Sequence, residues 1–146
     1  MLIYNLVVGE RKYNFIITIF ISFIQYTMAD HNDLGKKGEK LAINFLIKNG
    51  YTIRDKNYRY LKAEVDIIAQ KEDVLAAVEV KTRSSRDYGL PQDFVNQKKI
   101  RLLVMAIDHY VVSKDLDVNV RFDIIAIIHE NNKFEIEHLE DAFYHF

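Results

Sequence analysis

The chain has no cysteine, one proline and five glycines in 146 residues. Without thiols it forms neither disulfides nor thiolate metal sites, which suits a reducing cytoplasm. A glycine-rich phosphate loop and a serine nucleophile elbow are both missing, and the five histidines are scattered without metal-ligand spacing. Internal repeats and low-complexity tracts are absent as well. No apolar run is long enough for a membrane span. The run from Phe15 to Tyr26, after Glu10-Arg11-Lys12, is broken by Thr18, Ser22 and Gln25, and about a dozen residues fall short of the roughly 20 that a span needs. A signal peptide has the same outline, but no small-x-small cleavage site follows. No stable membrane association is expected.

What remains is an ordinary globular composition, 49% hydrophobic and 28% charged, sufficient for one domain with its own core. The net charge of -1 conceals a division along the chain. Residues 34–101 hold 15 Lys and Arg against 9 Asp and Glu, whereas residues 102–146 hold 3 against 9. A basic half fits phosphate binding, and so points to nucleic acid as partner, while the acidic end from Glu135 to Asp141 does not.

The basic half contains the stretch Ala63 to Arg83, two apolar strands separated by Lys71-Glu72-Asp73. Glu64 with Asp66, and Glu79 with Lys81, stand two residues apart and so share a face on each strand. Val65, Val78 and Val80 are expected on the other face. A hairpin loop of even length, Glu72-Asp73 or Lys71 to Val74, sets Asp66 opposite Glu79 and Glu64 opposite Lys81. Carboxylates about 5 Å apart repel unless a cation lies between them. A hard ion such as Mg²⁺ suits oxygen ligands, and a lysine beside it can assist a water attacking a phosphodiester. The same alternation also describes an exposed strand face with surface ion pairs.

Asp66 followed after twelve residues by Glu79-Val80-Lys81 has the form of the PD-(D/E)xK nuclease motif. The run Gly35-Lys-Lys-Gly38-Glu39, Ala42, Phe45-Leu46, Gly50-Tyr51, Asn57-Tyr-Arg59, Glu64-Val-Asp66-Ile-Ile68, Val78-Glu-Val-Lys-Thr-Arg83, Gly89-Leu-Pro91, Lys98 and Arg121-Phe-Asp123 closely resembles the YraN-like family. These are small bacterial proteins of the restriction-endonuclease-like fold, related to archaeal Holliday-junction resolvases. The resemblance covers roughly Leu34 to Ile128. It implies an α/β, three-layer fold with a mixed sheet flanked by helices, and a Mg²⁺- or Mn²⁺-dependent nuclease acting on DNA, including branched or structured DNA. A non-catalytic nucleic-acid-binding module with the same fold is the alternative. Asp66 and Glu79 would bind metal and Lys81 would assist the attacking water. Glu39, on the first helix as in the resolvase-like branch, would join the metal cluster, and Glu64 would orient ligands or bind a second ion. Resolvase relatives work as dimers, which implies a homodimer. The family usually has Gly where this chain has Ala63, which bears on how closely a substrate backbone can approach. Because the resemblance begins just after Met28, that residue is expected to be the true start, with residues 1–27 an upstream extension and 28–146 the domain.

The remaining pattern gives the order helix, three strands, helix, strand, strand. Leu34 to Asn49 is helical, capped by Asp33 or Asn32 and stopped by Gly50. Tyr51 to Tyr60 interleaves Arg54, Lys56 and Arg59 with tyrosines, a pattern able to grip a backbone and stack on bases. Arg83 to Pro91 reads as a loop at the lip of the site, and Gln92 to Ser113 as a helix with Ile100, Leu103, Val104, Ile107 and Val111 buried. Arg59, Arg83, Arg86 and Lys98 are the candidate phosphate contacts. Asn119 to His129 is a core strand whose Arg121 and Asp123 are expected to form a structural ion pair, and Phe134 to Leu139 is an edge strand after Asn131-Asn132.

Overall fold

The structure is a computed structural model and describes residues 33–84 and 95–142. The segment 1–27, expected as an extension, lies outside the described residues, as do Arg86 and most of the loop before Pro91. The chain divides into two compact units, Met1–Lys36 and Lys37–Phe146.

Helix α1 covers residues 33–48, so Asp33 is already helical. Gly50 ends it at φ 87, with its N–H donating to the Ile47 carbonyl and the Tyr51 N–H reaching back to Leu46, each at 3.0 Å. That left-handed position is where a helix stop needs glycine. Three strands follow as a meander: β1 (Thr52–Tyr60), β2 (Ala63–Lys71) and β3 (Val74–Arg83). β2 and β3 are joined by the two-residue turn Glu72-Asp73 with Lys71 paired to Val74, the even-loop register expected. Helix α2 runs Gln97–Ser113 and begins later than the Gln92 expected from periodicity. Asn96 caps it, its side chain accepting the Lys99 N–H at 2.9 Å. β4 (Asn119–Glu130) then lies parallel to β3, and β5 (Lys133–Leu139) returns antiparallel after Asn131-Asn132, both at positive φ.

The five strands form one mixed sheet in the order β1-β2-β3-β4-β5. Leu75, Ala77, Phe122 and Ile124 pack with Leu103 and Ile107 of α2 on one face. Ala76, Val78, Ile125 and Ile127 pack with Ala42 and Leu46 of α1 on the other. β3 and β4 are thus covered on both sides, which explains why their sequences are nearly unbroken apolar runs. Each fully buried Leu or Ile contributes about 1.5–3 kcal/mol of hydrophobic stabilisation. The layers are helix, sheet, helix: the three-layer restriction-endonuclease-like fold.

At the acidic end, the expected ion pair between Arg121 and Asp123 is bidentate, both bonds at 2.8 Å. Asp123 is completely buried. Burial alone would raise its pKa, but His138 at 2.8 Å, the guanidinium and the Asp141 N–H overcome that and hold the carboxyl below its ordinary range. Arg121 also reaches Tyr51 and Glu140, tying β1's approach and the C-terminal turn to the sheet.

Candidate active site

β2 and β3 pair through Ile67↔Val78 and then part. Asp66 is the next residue on β2, and its register position on β1 is Asn57, held at φ 52. The β1–β2 ladder passes from Lys56↔Ile67 to Tyr58↔Val65 without pairing the two. Side-to-side alternation slips there, so Val65 packs on the α2 side while Ile67, Val78 and Val80 pack on the α1 side. This corrects the expectation that Val65 shares a face with Val78 and Val80. In place of a ladder bond, Asp66 Oδ2 accepts the Val80 N–H at 2.8 Å.

Glu79 follows Val78 on β3 and is only 3% exposed. Its Oε1 accepts from Lys81 Nζ at 2.7 Å. Its Oε2 lies 2.9 Å from Lys99 Nζ, an ion pair by distance. The approach is off the hydrogen-bond direction, so Oε2 is the buried side-chain oxygen among the described residues with no donor. Lys99 Nζ also donates to the Glu64 backbone carbonyl at 3.3 Å. Burial first, and the Glu79 charge second, push the Asp66 carboxyl up to about 6, against the Val80 N–H and the ammonium groups of Lys99 and Lys81. Two buried carboxylates, one with an oxygen held by an ion pair and no aligned hydrogen bond, match what a hard divalent ion asks of a protein that supplies one or two carboxylates and leaves the rest to water and phosphate.

The other sequence candidates are placed differently. Neither expected cross-strand pair, Asp66 with Glu79 or Glu64 with Lys81, is a ladder pair, because the β2–β3 ladder ends at Ile67↔Val78. The Glu64 carboxylate pairs instead with Arg59 at 3.1 Å, near the surface. Glu39 rises from α1, the layer opposite α2, and among the described residues no three His, Asp or Glu side chains stand close enough to hold one ion. Asp66, Glu79 and Glu39 are therefore not assembled as a three-carboxylate set. Its neighbour Gly38 is buried against Thr82 of β3, where a Cβ would overlap the threonine hydroxyl and lie 3.1 Å from its Cβ. That close approach seats α1 beside the strand carrying Glu79 and Lys81. Arg83 ends β3, half-buried and engaged in its own interactions, and Lys98 is exposed in the first turn of α2.

Tyr58 and Tyr60 are both engaged by His109 of α2. Tyr58 Oη bonds His109 Nδ1 at 2.7 Å, and the Tyr60 ring stacks on His109 with centroids 3.7 Å apart. Arg54, Lys56 and Arg59 remain exposed. Of the cluster Lys98, Lys99 and Arg101 on α2, Lys99 is the residue that reaches Glu79, although only Lys98 is a candidate phosphate contact from sequence. A signal was available, since Lys99 lies four residues before Leu103 on the buried stripe of α2. No helix among the described residues is long and apolar enough to cross a membrane.

Residues 38–127 match the profile described as uncharacterised protein family UPF0102. A UPF0102 protein of Flavobacterium psychrophilum is 62% identical over 119 residues, which is 82% of this chain and all of that protein. One from Christiangramia forsetii is 57% identical with the same coverage. One from Bacteroides fragilis is 49% identical over 117 residues, 80% of this chain and 97% of the relative.

Proposed function

We propose that this chain, which belongs to the UPF0102 family, is a divalent-metal-dependent nuclease of the PD-(D/E)xK type that hydrolyses DNA phosphodiesters. The observation that carries the reading is Glu79: a carboxylate buried on a central strand, with one oxygen lacking a donor, beside the desolvated Asp66. Asp66 and Glu79 would hold Mg²⁺ or Mn²⁺. When bound, the ion supplies Lewis acidity and positive charge at the phosphoryl oxygens. Lys81, hydrogen-bonded to Glu79 Oε1, would assist the attacking water and stabilise the charge that develops on the phosphoryl oxygens. Above a pH of about 6 Asp66 is ionised and ready to act as ligand. Lys98, Arg59 and Arg83 lie on the basic half of the chain and suit the flanking phosphates.

Asp66→Ala and Lys81→Ala should each abolish cleavage of branched DNA in Mg²⁺ or Mn²⁺ while far-ultraviolet circular dichroism stays parental. Cleavage that survives both changes removes this mechanism. A second reading, a non-catalytic nucleic-acid-binding module, draws on the two lysines that already neutralise Glu79. It requires strongly salt-dependent binding that is indifferent to chelator.

A further inference from the structure

We propose that Lys99 is a displaceable counter-ion: it fills the cation position at Glu79 Oε2 in the metal-free protein, and leaves it for a nucleic-acid phosphate when a divalent ion enters. The inference rests on the nuclease reading and adds a residue outside its motif.

Lys81 and Lys99 hold Glu79 in different ways. Lys81 makes an aligned hydrogen bond from the same strand at 2.7 Å. Lys99 approaches Oε2 off-axis from another element, and its ammonium hydrogen bond among the described residues, to the Glu64 carbonyl, is long at 3.3 Å. It is therefore the more weakly fixed of the two. Its side chain is 30% exposed while that of Glu79 is 4% exposed. The Lys81 side chain is about equally exposed, at 31%, so both ammonium groups stand nearer solvent than the carboxylate, and the looser hold is what singles out Lys99. Helix stability does not account for a lysine there. The first turn of α2 contains no acidic residue, and a cation at a helix N-terminus opposes the helix dipole. With both lysines in place, the charges of Asp66 and Glu79 are already matched, so a divalent ion entering beside them meets repulsion unless one ammonium withdraws. A flexible four-carbon stem lets Lys99 do so without moving the helix.

The test is Mn²⁺ titration by calorimetry of the chelator-treated protein and of Lys99→Gln, Lys99→Arg and Arg101→Gln, at one pH and ionic strength. Lys99→Gln should bind Mn²⁺ about tenfold or more tightly than the parent, since it removes a repelling charge next to the ion. Lys99→Arg, which keeps the charge, should stay near the parent, and Arg101→Gln, which removes an exposed charge on the same helix, should change affinity less than about threefold. In Ca²⁺, Lys99→Gln should also lower the salt slope of DNA binding by about one. Equal or weaker Mn²⁺ binding by Lys99→Gln, with the parent binding normally, overturns the counter-ion role and leaves the nuclease reading standing. Failure of every variant to bind Mn²⁺, even with DNA present, overturns both.

Discussion

Asp66→Asn should make the metal-free protein more stable at neutral pH. The aspartate has an ordinary pKa of 3.8, and the fold raises it to about 6. A carboxyl whose pKa is raised on folding binds its proton more tightly in the native state, so its contribution to stability falls as pH rises from about 4 to about 6. Ionising Asp66 in the native state therefore costs about 3 kcal/mol at pH 7 and about 0.5 kcal/mol at pH 4. That figure already includes the attraction of Lys99 and Lys81. Asparagine keeps the shape and an acceptor for the Val80 N–H while removing the charge, so most of the cost should be recovered. Urea unfolding in chelator from pH 4 to pH 8 is the assay. The variant's midpoint should exceed the parent's at pH 7 with an unchanged m-value, and the two should converge towards pH 4. In a melt, the pH 7 difference corresponds to a rise of about 5–10 °C. A stability difference independent of pH, or a variant weaker than the parent at pH 7, refutes the reasoning. The residue proposed as a metal ligand is thus one that the metal-free fold holds at a loss, as expected where function and stability compete.

Two further substitutions test the frame around the site. Gly38→Ala should cost about 1–3 kcal/mol in thermal or chemical unfolding because its Cβ meets Thr82, and Thr82→Ala added to it should restore part of the loss; an unchanged midpoint contradicts the close approach. Arg121→Met leaves the fully buried Asp123 without its main cation and should cost about 3–5 kcal/mol at neutral pH. Asp123 has a lowered pKa, so its stabilisation is present above the ordinary carboxylate range and is lost as pH falls through the folded value. The deficit of Arg121→Met should shrink in acid, and a pH-independent deficit would place its cause in packing.

Much of this was legible in the chain because β-hairpin geometry is local. The Glu72-Asp73 turn fixes the register of β2 against β3 as far as Ile67 and Val78, which brings Asp66 and Glu79 to the point where the strands part, and periodicity located every strand to within a residue or two. Gly50 announced the end of α1, and spacing announced the pairing of Arg121 with Asp123. What was not legible depends on layers. Glu39 and Glu64 sit at suitable sequence positions, yet one rises from the opposite helix layer and the other lies beyond the point where β2 and β3 part. The slip of alternation at Asp66 lies opposite Asn57 of the neighbouring strand, which sits at positive φ and which no single-strand pattern contains. Lys99 reaches Glu79 only because the Asn96 cap sets the phase of α2, and a lysine-rich turn read by itself looks merely soluble.

The parallel pairing of β3 with β4 has a kinetic consequence. Val74 is matched with Asn119, so the whole crossover through α2 must be in place before that ladder closes, whereas the β1–β3 meander needs only short loops. Folding should therefore join Asp66, Glu79 and Lys81 early, within one hairpin, and deliver Lys99 late, when the crossover docks. In that interval the two carboxylates have a single ammonium between them, and a cation in the buffer can reach the nascent chain before the second lysine does.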